Sequence, residues 1–545
     1  MKKRKKTNSQ LDSPSLAPAH LAWHCGTSLP ESAPSTGHSN SAKPDRSKAT
    51  SYQNTAIFSS DSIMLETLSF RKKATNEVIG SASTKAGTVE LYAEGVWRAI
   101  GEVDLNGRFS NANVPENYLL HPDTIRARVT TGDISSHAVE ATADFVHARA
   151  RWFGPTANMA ADQDYYQWRL RWADYQPTGY RMSANSATSI WLEGDDEAVW
   201  VLVGVQGLAN QMDRASQTEN MRETRLKRGR NTVSDPLGGL VHIRNNGRAR
   251  CHIVLDGSTR PIPFCSNTYP EEFIRMLEKS DALSEVQLAG DRVVITSYAD
   301  TYRNYAHANP NEIITSHEKV LSIEAMAAGL DGSSPLHTRS NMWIHAVEAA
   351  STVMPSATTG YIALPHGSAP GNEYMTALLG AVAHRRWVTL HEYGHHFQNR
   401  SNSPQPLFDE NSVNIYALAV GRVHENDYSD EFPRRWPALK TWLAQPRDQK
   451  TYSESPDTHA IFEQLRKAFG DDFLPKWDRY TRENPVQSGD LITFTTSLSK
   501  VANCNLADFF AEWGVIKPSD PTWNALQALN LSRPPADLTK QIPYT

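Results

Sequence analysis

The stretch "HEYGHHFQ", His391 to Gln398, sets two imidazoles four positions apart with a carboxylate directly after the first. On a helix, positions i and i+4 lie one above the other, so His391 and His395 leave the same face and can bind one zinc ion together. Glu392 stands on the neighbouring edge, within reach of a water at the metal yet outside the set that holds the ion. Two imidazoles that hold and one carboxylate that acts is the division of labour peptide hydrolysis at zinc requires. His396 lies five positions from His391, about 140° around the helix, and so belongs to the surface or to the shell behind the ligands. Gly394 costs about 1 kcal/mol in a helix relative to alanine, which implies another segment packed close against it. Gln398 returns to the His391–His395 stripe one turn later, where it either orients a ligand or substrate or bonds a neighbouring loop.

A catalytic zinc takes three protein ligands and leaves one position for water. The breaker "SNSPQP" ends the first helix, and "FDENSVNIYALAV" opens a second that folds back against it. Glu410, at the start of that second helix, can return to the metal. Asn414, one turn on, is suited to hydrogen-bond a ligand from behind. Asp409 is the rival third ligand, with a helix N-cap as its other task.

"HEYGHHFQ" followed by "ENSVNIYAL" resembles the enhancin-type, mucin-targeting zinc metallopeptidase family (peptidase family M-sixty), whose pattern is HExGHxxQ and then a ligand glutamate with an asparagine four residues on. His391, Glu392, Gly394, His395, Gln398, Glu410 and Asn414 match it position by position. The likeness extends over about 160–520, through "RGRNTVSDPLGGLVHIRN", "TTGYIALP" and "LADFFAEWG". The resemblance implies one catalytic zinc ion held by His391, His395 and Glu410, Glu392 as general base, and a glycoprotein or mucin-type polypeptide as substrate. Gly360, Tyr361, Ile362 and Ala363 begin the strand "GYIALP", which either pairs with an extended substrate or is an ordinary edge strand.

These residues need a frame. A single helix is expected over 374–399, from Leu378, Leu379, Val382, Trp387 and Leu390 at helical spacing. The whole reads as a multidomain α+β protein: a disordered leader at 1–52, an immunoglobulin-like β-sandwich at 53–150, a β-rich region at 151–268, a mainly helical zincin-type catalytic domain at 269–525, and a tail at 526–545. The basic run "RETRLKRGRN" is read as a solvated hairpin, since no aromatic residues interleave it. Cys251 and Cys265 flank the turn "DGST", as a cross-strand disulfide or as two buried thiols.

A net charge of -5 over 545 residues gives no general pull toward nucleic acid. No window is apolar enough to insert in a membrane. The basic start lacks the apolar run of an ordinary signal peptide, so the expectation is secretion or delivery into a host by another route. Two other readings stand beside the glycoprotein peptidase: a translocated protease acting on a host protein, and a non-catalytic glycan-binding adhesive protein.

Overall fold

The computed structural model describes residues 63–544 except 64, 73–75, 121–123, 137, 143–149, 195–197, 208–220, 256–257, 267–269, 341, 352–353, 367–372, 426–427 and 487–488. The expected leader at 1–52 lies outside the described residues.

The first β region holds two antiparallel sheets. Leu65–Lys72, Asn76–Ala82 and Arg108–Val114 form one in that order; Val96–Glu102, Thr88–Ala93 and Thr124–Thr131 form the other, with Ile134–Ser135 and Val139–Thr142 paired to Thr124–Thr131. Asn76–Ala82 and Thr88–Ala93 alternate between buried and half-buried residues, the period a strand needs to bury one face. Phe70, Val78, Leu91, Ile125 and Val129 fill a core drawn from these strands. Glu94 and Gly95 both take positive φ, 55° and 83°, which is how a two-residue turn joins twisted strands.

The second β region also forms two sheets. One runs Arg222–Arg225, Val199–Val203, Gly239–Asn245, Gln176–Met182, Arg260–Pro261; the other runs Gly229–Ser234, Ala187–Glu193, Cys251–Leu255, Ala150–Phe153. Met182, Ile190, Leu192, Val201 and Ile243 pack between them. The basic run is therefore not a hairpin. Its two halves belong to different sheets, and its charges are used locally: Arg222 pairs with Asp235 at 2.7 Å, and Arg230 lies over Trp191. Cys251 and Cys265 are buried thiols with no disulfide between them, and burial pushes Cys251 up to about 11.

The remainder is less helical than expected. A six-stranded mixed sheet runs Phe264–Cys265, Glu285–Ala289, Val293–Tyr298, Ile344–Ala349, Tyr361–Pro365, Ser356–Thr358. Val293–Tyr298 and Ile344–Ala349 are buried at every position, so they show no alternation in sequence. The long helix Pro310–Ala327 and the helices after 373 pack with this sheet in one large core. The segment after 526 belongs to that core and is not a loose tail: Leu526 and Leu538 are buried in it. No helix among the described residues is long and apolar enough to cross a membrane.

Candidate metal centre

The expected helix over 374–399 is broken in two. Glu373–Leu379 ends where Gly380 closes onto Thr376 O and Ala381 turns to a φ of 57°; a short 3-10 turn, Ala383–Arg385, then leads into Trp387–Gly394. His391 and His395 keep the relative placement of helical spacing, because His395 N still bonds His391 O at 3.3 Å. A Cβ on Gly394 would meet Val413 O at 2.8 Å, so the close packing inferred from its cost is met by the returning chain. That chain forms Asp409–Ser412 and then Asn414–Val423.

The three expected ligands come together. His391 Nε2 lies 3.1 Å and His395 Nε2 3.3 Å from Glu410 Oε2, and the three ligand atoms fall within 4.8 Å of one another. Donors about 2.0–2.2 Å from a tetrahedral zinc are separated by about 3.3–3.6 Å, so both carboxylate–imidazole separations suit such an ion. Each imidazole is also held in one tautomer. Asn414 Oδ1 sits 2.9 Å from His391 Nδ1, and Gln398 Oε1 sits 2.8 Å from His395 Nδ1. An amide oxygen only accepts, so both Nδ1 atoms carry the proton and both Nε2 lone pairs face the ion position.

Asn414 serves twice, since its Nδ2 donates to Glu410 O at 2.8 Å and ties one ligand to the helix turn of another. Gln398 is fully buried, and its Nε2 donates to Asp409 O at 2.7 Å and Ser412 Oγ at 2.9 Å. The two readings left open for Gln398 thus hold together: it orients a histidine and it bonds the neighbouring loop. Asp409 is not the third ligand. Its carboxylate pairs with Arg169 and accepts from Gln405 at 2.7 Å, and the N-cap position falls to Phe408.

Glu392 is 6% exposed. Burial raises its pKa, the two neighbouring histidines pull it back, and Glu410 adds repulsion, leaving it raised overall. Glu410 goes the other way: the closeness of His391 and His395 holds it well below the ordinary carboxylate range. Burial lowers His391, and Glu410, Glu392 and Asn414 more than restore it. His396 stays out of the ligand set but is no surface residue. It is fully buried, burial pushes it down to about 3, and its Nε2 approaches Tyr361 O at 3.4 Å.

The expectation for Gly360, Tyr361, Ile362 and Ala363 is corrected. Tyr361–Pro365 is an interior strand, paired in parallel with Ile344–Ala349 and antiparallel with Ser356–Thr358. Gly360 donates to Arg171 O at 2.8 Å and accepts from His345 N at 3.1 Å. No open backbone edge remains there for a substrate. The outer strand of the sheet on this side is Ser356–Thr358, next to the helix Trp387–Gly394.

One group of residues under the site escaped sequence reasoning. Residues 167–172 cross beneath the end of the metal helix: Arg169 N donates to Gln398 O at 2.9 Å, Arg400 N to Gln167 O at 2.8 Å, and Trp172 Nε1 to His396 O at 3.0 Å. Arg169 also donates from its guanidinium to Gln398 Oε1 at 3.1 Å. Only the clustered aromatics of "YYQWRLRWADY" hinted that this stretch is buried.

The chain resembles known proteins. Residues 261–514 match the family described as Peptidase M60, enhancin and enhancin-like, and residues 156–253 match the N-terminal domain of M60-like peptidases. The chain is 27% identical over 168 residues to a TRPM8 channel-associated factor homolog of Danio rerio, a stretch that covers 28% of this chain and 18% of that protein. The match thus spans less than a fifth of that curated relative.

Among solved structures, a conserved protein from Bacillus anthracis, described as functionally unknown, superposes with a TM-score of 0.62 at 22% identity, covering 72% of this chain and 82% of that one. The M60 catalytic domain of Clostridium perfringens ZmpC, in complex with the sialyl T antigen, gives 0.57 at 17% identity over 72% and 81%. A metallopeptidase from Bacteroides thetaiotaomicron gives 0.58 at 15% identity over 72% of each chain. At these identities the likeness is one of fold.

A helix that carries two imidazoles, a second helix that returns a carboxylate, and a mixed sheet alongside define a metallopeptidase scaffold. The chain belongs to the M60 family of enhancin and enhancin-like zinc metallopeptidases.

Proposed function

We propose that this protein is a zinc-dependent endopeptidase that hydrolyses peptide bonds in glycoproteins, with mucin-like O-glycosylated chains as its substrates. The observation that carries the reading is the meeting of His391 Nε2, His395 Nε2 and Glu410 Oε2 around one point, beside a buried Glu392. These three side chains would hold one zinc ion. Bound there, the ion supplies Lewis acidity, which lowers the pKa of water toward about 7 and polarises a carbonyl.

The chain's own residues do the rest. Glu392, raised by burial, accepts a proton from water and hands it to the leaving amine. Asn414 and Gln398 keep both imidazoles facing inward through the cycle. The outer strand Ser356–Thr358 takes the extended main chain of the substrate in place of the interior Tyr361–Pro365. The substrate class is supported by relatives: the ZmpC domain is described with the sialyl T antigen and another similar metallopeptidase with the Tn antigen. Such substrates lie outside the producing cell, and we place the protein's work there. Residues 63–142 form an immunoglobulin-like accessory domain in this reading, with sheet orders matching a two-sheet sandwich.

The test is cleavage-site mapping on matched glycosylated and bare proteins, with and without a chelator. Glu392→Ala should abolish cleavage while zinc stays bound at one equivalent. Undiminished cleavage by Glu392→Ala would remove Glu392 as base. Equal cleavage of bare and glycosylated protein would remove the substrate class and keep the peptidase.

A further inference from the structure

The ligand set and Glu392 leave one need of peptide hydrolysis unmet: a hydrogen-bond donor for the carbonyl oxygen as it gains negative charge. Tyr416 does not meet it. Its hydroxyl is fully buried in the core and bonded to Phe397 O and Asp478 Oδ2, each at 3.0 Å.

The loop 455–459 offers another group. Thr458 Oγ1 bonds Asn411, the residue after Glu410, and Tyr452 OH bonds Thr458 O at 2.8 Å, so the loop is fastened beside the third ligand. His459 follows directly. Its ring lies 5.8 Å from that of Trp387 and 5.5 Å from that of Phe432. Trp387 is one helical turn before His391, on the same stripe as both metal-site histidines. The loop therefore sets His459 against the Trp387 end of that stripe, close enough to feel the charge of His391.

We propose that His459 donates a hydrogen bond to the scissile carbonyl oxygen as it becomes an oxyanion, and that Asp457 and Tyr544 position it. The assignment rests on the peptidase reading above. Several features prepare His459 for this task. Its Nδ1 is buried without a hydrogen-bond partner, and Asp457 Oδ1 is 3.8 Å away. A neutral imidazole with no acceptor at Nδ1 keeps its proton on Nε2, the outer nitrogen. Burial holds the ring neutral by pushing its pKa down to about 3, with Arg435 and His391 adding to the effect.

The Asp457 carboxyl is anchored on its far side. Tyr544 OH donates to Asp457 Oδ2 at 2.8 Å, and the Tyr544 ring stacks on Phe432 at 5.3 Å. The backbone N–H of His459 bonds Asp457 Oδ1 at 3.2 Å. A residue near the end of the chain thus fixes the loop that presents the imidazole. Donors fixed before the reaction stabilise a developing charge without reorganising, which is what gives such groups their effect.

The experiment measures kcat, KM and zinc content on a threonine-rich peptide carrying N-acetylgalactosamine, together with calorimetric affinity for its phosphinic analogue, a tetrahedral mimic. His459→Ala should lower kcat about 100-fold with KM within about twofold and zinc at one equivalent, and should weaken the phosphinic peptide by a similar factor. His459→Gln, which restores an N–H at similar reach, should recover about tenfold of the loss. Tyr544→Phe should lower kcat a few-fold by freeing Asp457.

Tyr374, half-buried beside Glu392, is the rival donor, and Tyr374→Phe should change kcat less than about threefold. The assignment is overturned if His459→Ala keeps a third of parental kcat, if its effect falls on KM or zinc content instead, or if Tyr374→Phe carries the loss. A parent enzyme that fails to cleave any glycopeptide in a chelator-sensitive way would sink the peptidase reading, not this assignment alone.

Discussion

The two β regions have similar architecture and different duties. The sandwich of residues 65–142 fills its core from its own strands: Phe70, Val78, Leu91, Ile125 and Val129. The region from 150 to 265 has its own core as well, yet its connecting segments leave it. Ala173 pairs with Trp343, Tyr175 OH bonds His345 at 2.8 Å, and Arg169 reaches Gln398 behind a metal-site histidine. The first region keeps a core of its own, whereas the second is part of the floor of the metal site.

The largest expected effect comes from removing that floor. Trp172 is fully buried, stacked on Trp168 at 4.9 Å and bonded to His396 O, so Trp172→Ala should cost about 3–5 kcal/mol and lower Tm. Thermal unfolding reads this, and zinc retention should fall with it. A shift in Tm with intact zinc affinity would show that the floor is not coupled to the ion.

Next is Gln398→Ala, which strands His395 Nδ1, Asp409 O and Ser412 Oγ together; zinc affinity should drop about 10- to 100-fold in competition with a chromophoric chelator. Arg169→Ala should weaken zinc less, about tenfold or under, because it reaches His395 through Gln398 and Glu410 only through its charge and its pairing with Asp409. Were Arg169→Ala as severe as Gln398→Ala, the β region would hold the ligand more directly than the contacts indicate. At the other end of the comparison, Leu91→Ala should cost the first sandwich about 2–5 kcal/mol and leave zinc affinity and cleavage unchanged.

Acid sharpens the same contrast. His345 bonds Tyr175 and, at 2.6 Å, Thr296; Gln287 links Thr296 to His242. Burial pushes His242 down to about 3 and His345 well below its ordinary value. Both are neutral when folded, whereas the unfolded chain takes up their protons below about pH 6.5. Their stabilisation is therefore present above that pH and is lost as pH falls toward the folded values. Tm should decline between about pH 6.5 and 4, and His242→Gln should flatten that decline.

The site was legible in the sequence where geometry is local. His391, Glu392 and His395 sit within one and a half helical turns, and the short connection to Glu410 and Asn414 leaves the returning helix little freedom. Arg169 could not be found in this way: 229 residues separate it from Gln398, and no spacing rule spans that distance. Val293–Tyr298 and Ile344–Ala349 were missed because burial on both faces erases alternation. The assignment of "GYIALP" failed for a related reason. Composition marks a strand, but its place in the sheet depends on which distant strands flank it, and here both sides are taken.

The outer strand beside the metal helix is only three residues long, Ser356–Thr358. So brief a rail offers a visiting polypeptide two or three main-chain hydrogen bonds, too few to grip an arbitrary unfolded sequence for long. In the proposed reading, discrimination comes from whatever decorates the visitor, and a protease built this way would tolerate many amino-acid sequences while ignoring most naked ones.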